Sequence, residues 1–163
     1  MRFILIDRVH SWEAGKSLKA SKILTLGEEY LADHFPTFPV MPGVMMLQAA
    51  VEASAWLWRV TTDYKHAVIV MREAKNVKYG TFMQPGHTLE LGTELLKADE
   101  STATFRAKGN VAGGGQTISA QFTLAGYNIG DRSPAGGPAD ERLVRHWKER
   151  WAWLTGEMTG RAA

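Results

Sequence analysis

One stretch restricts this chain more than any other: Gly43 to Val60, reading GVMMLQAAVEASAWLWRV. A surface helix keeps a wide polar face, and this run is apolar on nearly every side. A membrane span needs about 20 predominantly apolar residues. Here Gln48 and Glu52 sit mid-run, and a central charge costs roughly 2.5–3.5 kcal/mol on insertion. The stretch is therefore a core helix, and the rest of the chain must cover it. Cover is available on both sides. Phe3–Val9 and Ser17–Leu24 read as strands, joined by the turn composition Glu-Ala-Gly-Lys. After the helix, His66–Met71 and Ala74–Tyr79 form one long or bulged strand. Thr88–Lys97 and Thr102–Ala112 form a hairpin, and Gln116–Ala125 follows a Gly-Gly-Gly turn. Alternation in Thr102–Val111 and Ser119–Leu124 implies a sheet with one buried face. This order predicts an α+β fold in which an antiparallel sheet wraps around one long apolar helix.

The chain end reads differently. Residues 127–138 are rich in Gly and Pro and read as a linker. It separates a core domain at 1–126 from a C-terminal amphipathic helix and tail at 139–163. In that helix Leu143, Val144, Trp147, Trp151 and Leu154 recur at helical spacing. The interleaved arginines suit a membrane surface, but residues 139–163 hold five basic and four acidic side chains, a surplus of one. Packing on the β domain or a neighbouring subunit is the expectation.

Composition removes several function classes. With 163 residues the chain suits one domain. A net charge of +2 is too small to argue for nucleic acid. There is no cysteine, hence no thiolate nucleophile or Cys-ligated metal. His10, His66, His87 and His146 lack ligand spacing, so no metal and no cofactor is expected. The opening MRFILIDRV is too short in apolar residues for a signal peptide, so a soluble cytoplasmic protein is the default.

The chemistry lies in HFPTFPVMPG, from His34 to Gly43. Pro36, Pro39 and Pro42 stiffen the loop, and Pro42 stands where a missing N–H costs a helix little. His34 is thus held beside a helix N-terminus whose first N–H groups, at Gly43 and Val44, are free for developing negative charge. An imidazole of ordinary pKa, about 6.5, can take a proton there. Gln48 and Glu52 follow on one helix face, four residues apart. The residues alone leave a second role open, in which His34 only bonds a loop carbonyl.

FILIDRV, HFPTFPVMPGVMMLQAAVEA and the later MQPGHTLEL closely resemble the 3-hydroxyacyl-acyl carrier protein dehydratases of the FabZ and FabA type. The resemblance runs from about Phe3 to about Ala125. It implies a hotdog fold and removal of water from a (3R)-3-hydroxyacyl thioester on acyl carrier protein, in fatty-acid or related biosynthesis. On this basis His34 takes the α-proton and the amides at Gly43 and Val44 polarise the thioester carbonyl. Phe38, Tyr79 and Phe82, with Met41, Met45, Met46 and Met83, border an acyl tunnel. The resemblance further implies a cis His34–Phe35 peptide and a homodimer whose site is shared between subunits, with a trimer of dimers as a larger assembly. Lys75, Lys78, Arg106 and Lys108 are the candidates for meeting the acidic carrier.

Three departures stand out. Position 48, where the family holds a carboxylate, is Gln; the family's Gln one turn later is Glu52. Thr37 stands where Gly is usual, and would be strained by a positive φ. An amide orients a hydroxyl but cannot donate a proton as an acid does, and acid–base catalysis is typically worth ~10²–10⁴-fold. The exchange therefore keeps two other classes alive: a hotdog subunit that binds acyl thioesters without dehydrating them, and a hotdog thioesterase using Glu52.

Overall fold

The computed structural model describes residues 4–157. Six strands form one antiparallel sheet in the order β1-β2-β4-β5-β6-β3. They are β1 (Arg8–Glu13), β2 (Ser17–Ile23), β3 (Val68–Tyr79), β4 (Thr88–Ala98), β5 (Thr102–Val111) and β6 (Gln116–Tyr127). Helix α1 (Gly43–Thr61) lies in the concave face and meets β2, β4, β5 and β6. Trp58, Phe105 and Phe122 are fully buried between helix and sheet, and Trp56 is fully buried on the side of the C-terminal helix. The alternation read from the sequence is present: alternate residues of β5 and β6 turn inward. A buried Ser54–Thr93 hydroxyl pair at 2.6 Å ties α1 to β4, and Ser54 also donates to Ala50 O, so the polar atoms there are satisfied. This is the α+β architecture that the resemblance to hotdog proteins implies.

The first strand differs from its reading at Phe3–Val9. Phe3 lies outside the described residues, and pairing with β2 begins at Arg8 and runs to Glu13. Leu5 and Ile6 are buried, so the apolar run is inward as read. The Leu5 N–H, however, donates to Glu52 Oε2 of α1 at 2.7 Å and not to a neighbouring strand. Apolar content marked the burial, but hydrogen bonding decides what is a strand. The long strand β3 is bulged twice, between Met71 and Glu73 and between Lys75 and Lys78. It forms one edge of the sheet and leaves Val70, Met71 and Tyr79 exposed.

After β6, 3₁₀ turns at Ile129–Asp131 and Pro134–Gly136 lead into α2 (Gly137–Thr155). The helix starts two residues before Ala139, with Pro138 in its first turn. The Ile129 and Gly130 amides donate to the Asp140 carboxylate. Asn128 accepts from Ala67 N and donates to Lys65 O. The helix lies against the protein itself. Trp147 meets Trp56 edge-on at 5.7 Å, Trp151 meets Trp12 at 4.9 Å, and Leu154 is fully buried. Trp147 Nε1 donates to Ala67 O at 3.0 Å. Helix α2 therefore reaches from β1 to the start of β3, across the C-terminal half of α1. The tail beyond residue 157 lies outside the described residues.

Candidate functional site

Two neighbouring arrangements hold the site residues. The first is the proline loop. A 3₁₀ turn at Glu29–Ala32 delivers His34, whose amide donates to Tyr30 O. His34 Nδ1 lies 3.0 Å from Val40 O. A carbonyl only accepts, so Nδ1 carries the proton and Nε2 presents its lone pair. Val40 N donates back to His34 O at 3.1 Å, and Phe35 and Phe38 exchange backbone bonds at 3.3 and 3.0 Å. Met41 N donates to Met83 O at 2.8 Å, pinning the loop exit. The His34–Phe35 peptide is cis, and the two rings stack at 4.2 Å. Thr37 adopts no positive φ, so the strain considered for it does not arise.

Pro42 caps α1, and its carbonyl accepts from Met45 N and Met46 N. That leaves the Gly43 and Val44 amides outside the helical ladder. A Cβ at Gly43 would come within 2.9 Å of the Tyr79 ring, so the glycine lets β3 close onto the helix start. Phe38 meets Phe82 edge-on at 5.8 Å. Phe35, Phe38, Val44, Tyr79 and Phe82 are all exposed and form an apolar apron around His34 and the helix start. Met41, Met46 and Met83 are buried in the core instead.

The second arrangement is a cavity of about 630 Å³ along one face of α1. Gln48, Val51, Glu52, Ala55, Trp56 and Arg59 line it at steps of three and four residues, facing Ile4, residues 67–69 and α2. Gln48 is exposed at one end; Arg59, only 6% exposed, is at the other. Burial pushes the Glu52 carboxyl up from its ordinary value, against the Leu5 N–H, the Trp56 indole, Arg150 and Arg59, which favour its charge. The indole N–H lies outside hydrogen-bonding geometry. Burial also lowers Arg59 to about 10, opposed by Glu52 and Tyr64. Its guanidinium stands 4.3 Å from the Trp147 ring centroid and 5.1 Å from that of Trp56. Within one chain His34 is not among the residues lining this cavity, whereas Gln48 and Glu52 both are. Arg59, Trp147 and Arg150 were not anticipated. The signal for Arg59 was its place seven residues beyond Glu52 on the same helix face; Trp147 and Arg150 reach the cavity only through the docking of α2.

The FabA-like domain model matches residues 1–121. The chain belongs to the FabA-like family. Among curated relatives of this FabA-like chain is the 3-hydroxyacyl-[acyl-carrier-protein] dehydratase FabZ of Janthinobacterium sp. (strain Marseille). It is 34% identical over 137 residues, 82% of this chain and 87% of the relative. The FabZ of Clostridium kluyveri is 31% identical over 131 residues, 80% of this chain and 88% of its own. The dehydratase heterocomplex ApeI:P from Xenorhabdus doucetiae superposes with a TM-score of 0.64 at 14% identity, covering 78% of this chain and 85% of that one. A mutant thioesterase from Pseudomonas aeruginosa gives 0.57 at 15% identity, covering 72% and 78%. At such identities the two structures share the hotdog fold, and that alone. Helix α2 lies beyond the residues that the FabA-like model matches.

Proposed function

We propose that this FabA-like protein is a (3R)-3-hydroxyacyl-thioester dehydratase acting on acyl carrier protein-bound substrates as a cytoplasmic homodimer. The observation that carries the reading is the Nδ1–H bond from His34 to Val40 O, which leaves Nε2 as a free base beside unpaired helix-start amides. Nε2 takes the α-proton, and the electron pair moves towards the thioester carbonyl. The oxygen charge that develops is met by the Gly43 and Val44 amides and the helix dipole. As the Cα–Cβ double bond forms, the Cβ–O bond breaks and the hydroxyl leaves as water after gaining one proton.

In the dimer, that proton comes from the helix face of the other subunit. Gln48 orients the hydroxyl, and Glu52, one turn away in the same cavity, supplies the proton through a water. A carboxyl raised by burial suits that role, because it keeps its proton closer to neutrality. The dimer reading is supported by the open β3 edge and by the apolar apron beside it, which a second copy would cover. For carrier docking, Lys75 and Arg106 are partly neutralised by Glu73 and Glu94. Lys78 and Lys108 both lie in register with Ser119 and give the exposed basic pair better suited to an acidic partner.

Gln48 favours a second reading, a subunit that holds acyl thioesters without turnover. Incubation with (3R)-3-hydroxyacyl and trans-2-enoyl carrier thioesters, followed in both directions, separates the two. Interconversion that His34→Ala removes supports the enzyme. Binding without turnover, in wild type and in Gln48→Glu, establishes the accessory subunit. Release of free acid marks the thioesterase.

A further inference from the structure

The cavity along α1 has a polar end that dehydration does not use. Arg59 is 6% exposed, and its Nε has no hydrogen-bond partner among the described residues. Trp56 Nε1, also buried, has none in good geometry and is turned towards Glu52, whose charge it favours. Both groups only donate, both line the same cavity, and buried donors left unmet are rare. Their ring and guanidinium faces are already in use, since Arg59 lies over Trp147 and Trp56; what remains is the edge of each group. Charge adds a direction. Arg59 and Arg150 line the cavity against one acidic side chain, Glu52, which the Leu5 amide already engages. Positive charge is left over whether or not Glu52 holds its proton.

Gln48 to Arg59 spans eleven residues of one helix, about 16 Å at 1.5 Å per residue. Between them Val51, Ala55, Trp56 and Ile69 line the walls, interrupted by Glu52. The space is long, mostly apolar along its sides and cationic at its far end. We infer that the α1–α2 cavity takes an acyl chain whose far end carries a carboxylate, so that the substrate class is an ω-carboxyacyl thioester. This rests on the dehydratase reading for the thioester end; the carboxylate end rests on Arg59 and on Arg150 of α2. Since α2 supplies Trp147 and Arg150, the selection depends on the part of the chain beyond the family match as well as on Arg59. A carboxylate there pairs with the guanidinium end of Arg59, with Arg150 nearby, and the apolar chain covers the indoles.

Titration calorimetry of the full chain with octanoate and with octanamide, its uncharged counterpart, tests the anion end without any turnover. Octanoate is expected to bind at least tenfold more tightly than octanamide. Arg59→Met, which keeps the side-chain volume, should erase that preference. Arg150→Gln, on a half-buried side chain, should reduce it several-fold and guards against misfolding of the first variant. Equal binding of the two probes, no binding of either, or a preference that survives both substitutions would overturn the inference. A wild type that prefers octanoate yet fails to interconvert any carrier thioester would sink the dehydratase reading and leave the anion site standing. With turnover present, kcat/KM for an ω-carboxy substrate should exceed that for the methyl-ended chain of equal length at least tenfold. The reverse order would overturn the assignment of substrate class.

Discussion

The two ends of α1 are built on opposite principles. At its N-terminus, His34, Val40 and Pro42 lie within nine positions, and their geometry is set by backbone hydrogen bonds inside one loop. At its C-terminal half, Arg59 meets Trp147 and Ala67 receives the Trp147 indole N–H, pairs that are about eighty residues apart or more. The first region is local, stiffened by three prolines, and opens to solvent from Phe35 to Phe38. The second is assembled by tertiary packing and buried. A site made from contiguous backbone holds its shape whatever the chain end does, whereas a site made from distant side chains lasts only while α2 stays docked. In the proposed mechanism the base is of the first kind, and the proton donor and the end-group selector are of the second.

That contrast is open to attack from the largest effect downward. His34→Ala should lower kcat/KM by at least the ~10²–10⁴-fold of an acid–base group. Stability should change by no more than about 1.5 kcal/mol, the net worth of one hydrogen bond, as read by denaturant unfolding. Leu154→Ala should do the reverse. Its side chain is fully buried, so the loss is about 2–5 kcal/mol, with the geometry at His34 untouched. Equal damage to stability from both substitutions would erase the distinction between the two regions.

A smaller effect follows from His66, which sits between Trp58 of α1 and Gly126 of β6. Its ring packs on Trp58 at 5.1 Å, its Nε2 is buried without a partner among the described residues, and a Cβ at Gly126 would strike it at 2.6 Å. Burial first, and Lys65 next, lower its pKa from the ordinary 6.5. The unfolded chain then binds the proton more readily than the folded one. Stability from this group is present above about pH 6.5 and is lost as pH falls through the folded value. His66→Gln should flatten that acid limb in unfolding measured from pH 7 to pH 5. The smallest effect belongs to the loop: Thr37→Gly should shift stability by less than about 1 kcal/mol, and downward. The position has no positive φ for glycine to relieve, and glycine adds only unfolded-state freedom.

The same contrast explains what the sequence disclosed. The apolar run of α1 and the alternation of β5 and β6 were legible because burial periodicity is a local pattern. His34, Gly43 and the cis peptide were legible because they lie in one ordered segment that closely resembles a family's. The start of β1 was misread, since Leu5 is buried like a strand residue yet gives its amide to Glu52, a contact across forty-seven positions that no local pattern encodes. Arg59 passed unnoticed for a related reason. Lying among Trp56, Leu57 and Trp58, it looked like the end of an apolar helix, and only the docked α2 turns it into the end wall of a cavity.

The central claim is that the proton donor has moved one helical turn, from position 48 to Glu52, while His34 stays the base. The direct measurement is kcat/KM for dehydration of one (3R)-3-hydroxyacyl carrier thioester by wild type, Gln48→Glu and Glu52→Gln. Glu52→Gln should fall by ~10²–10⁴-fold, close to the loss in His34→Ala. Gln48→Glu should gain little, because Glu52 already supplies the proton through a water and a second acid adds no missing step. A Glu52→Gln enzyme at wild-type rate, beside a Gln48→Glu enzyme accelerated a hundredfold, would contradict the central claim.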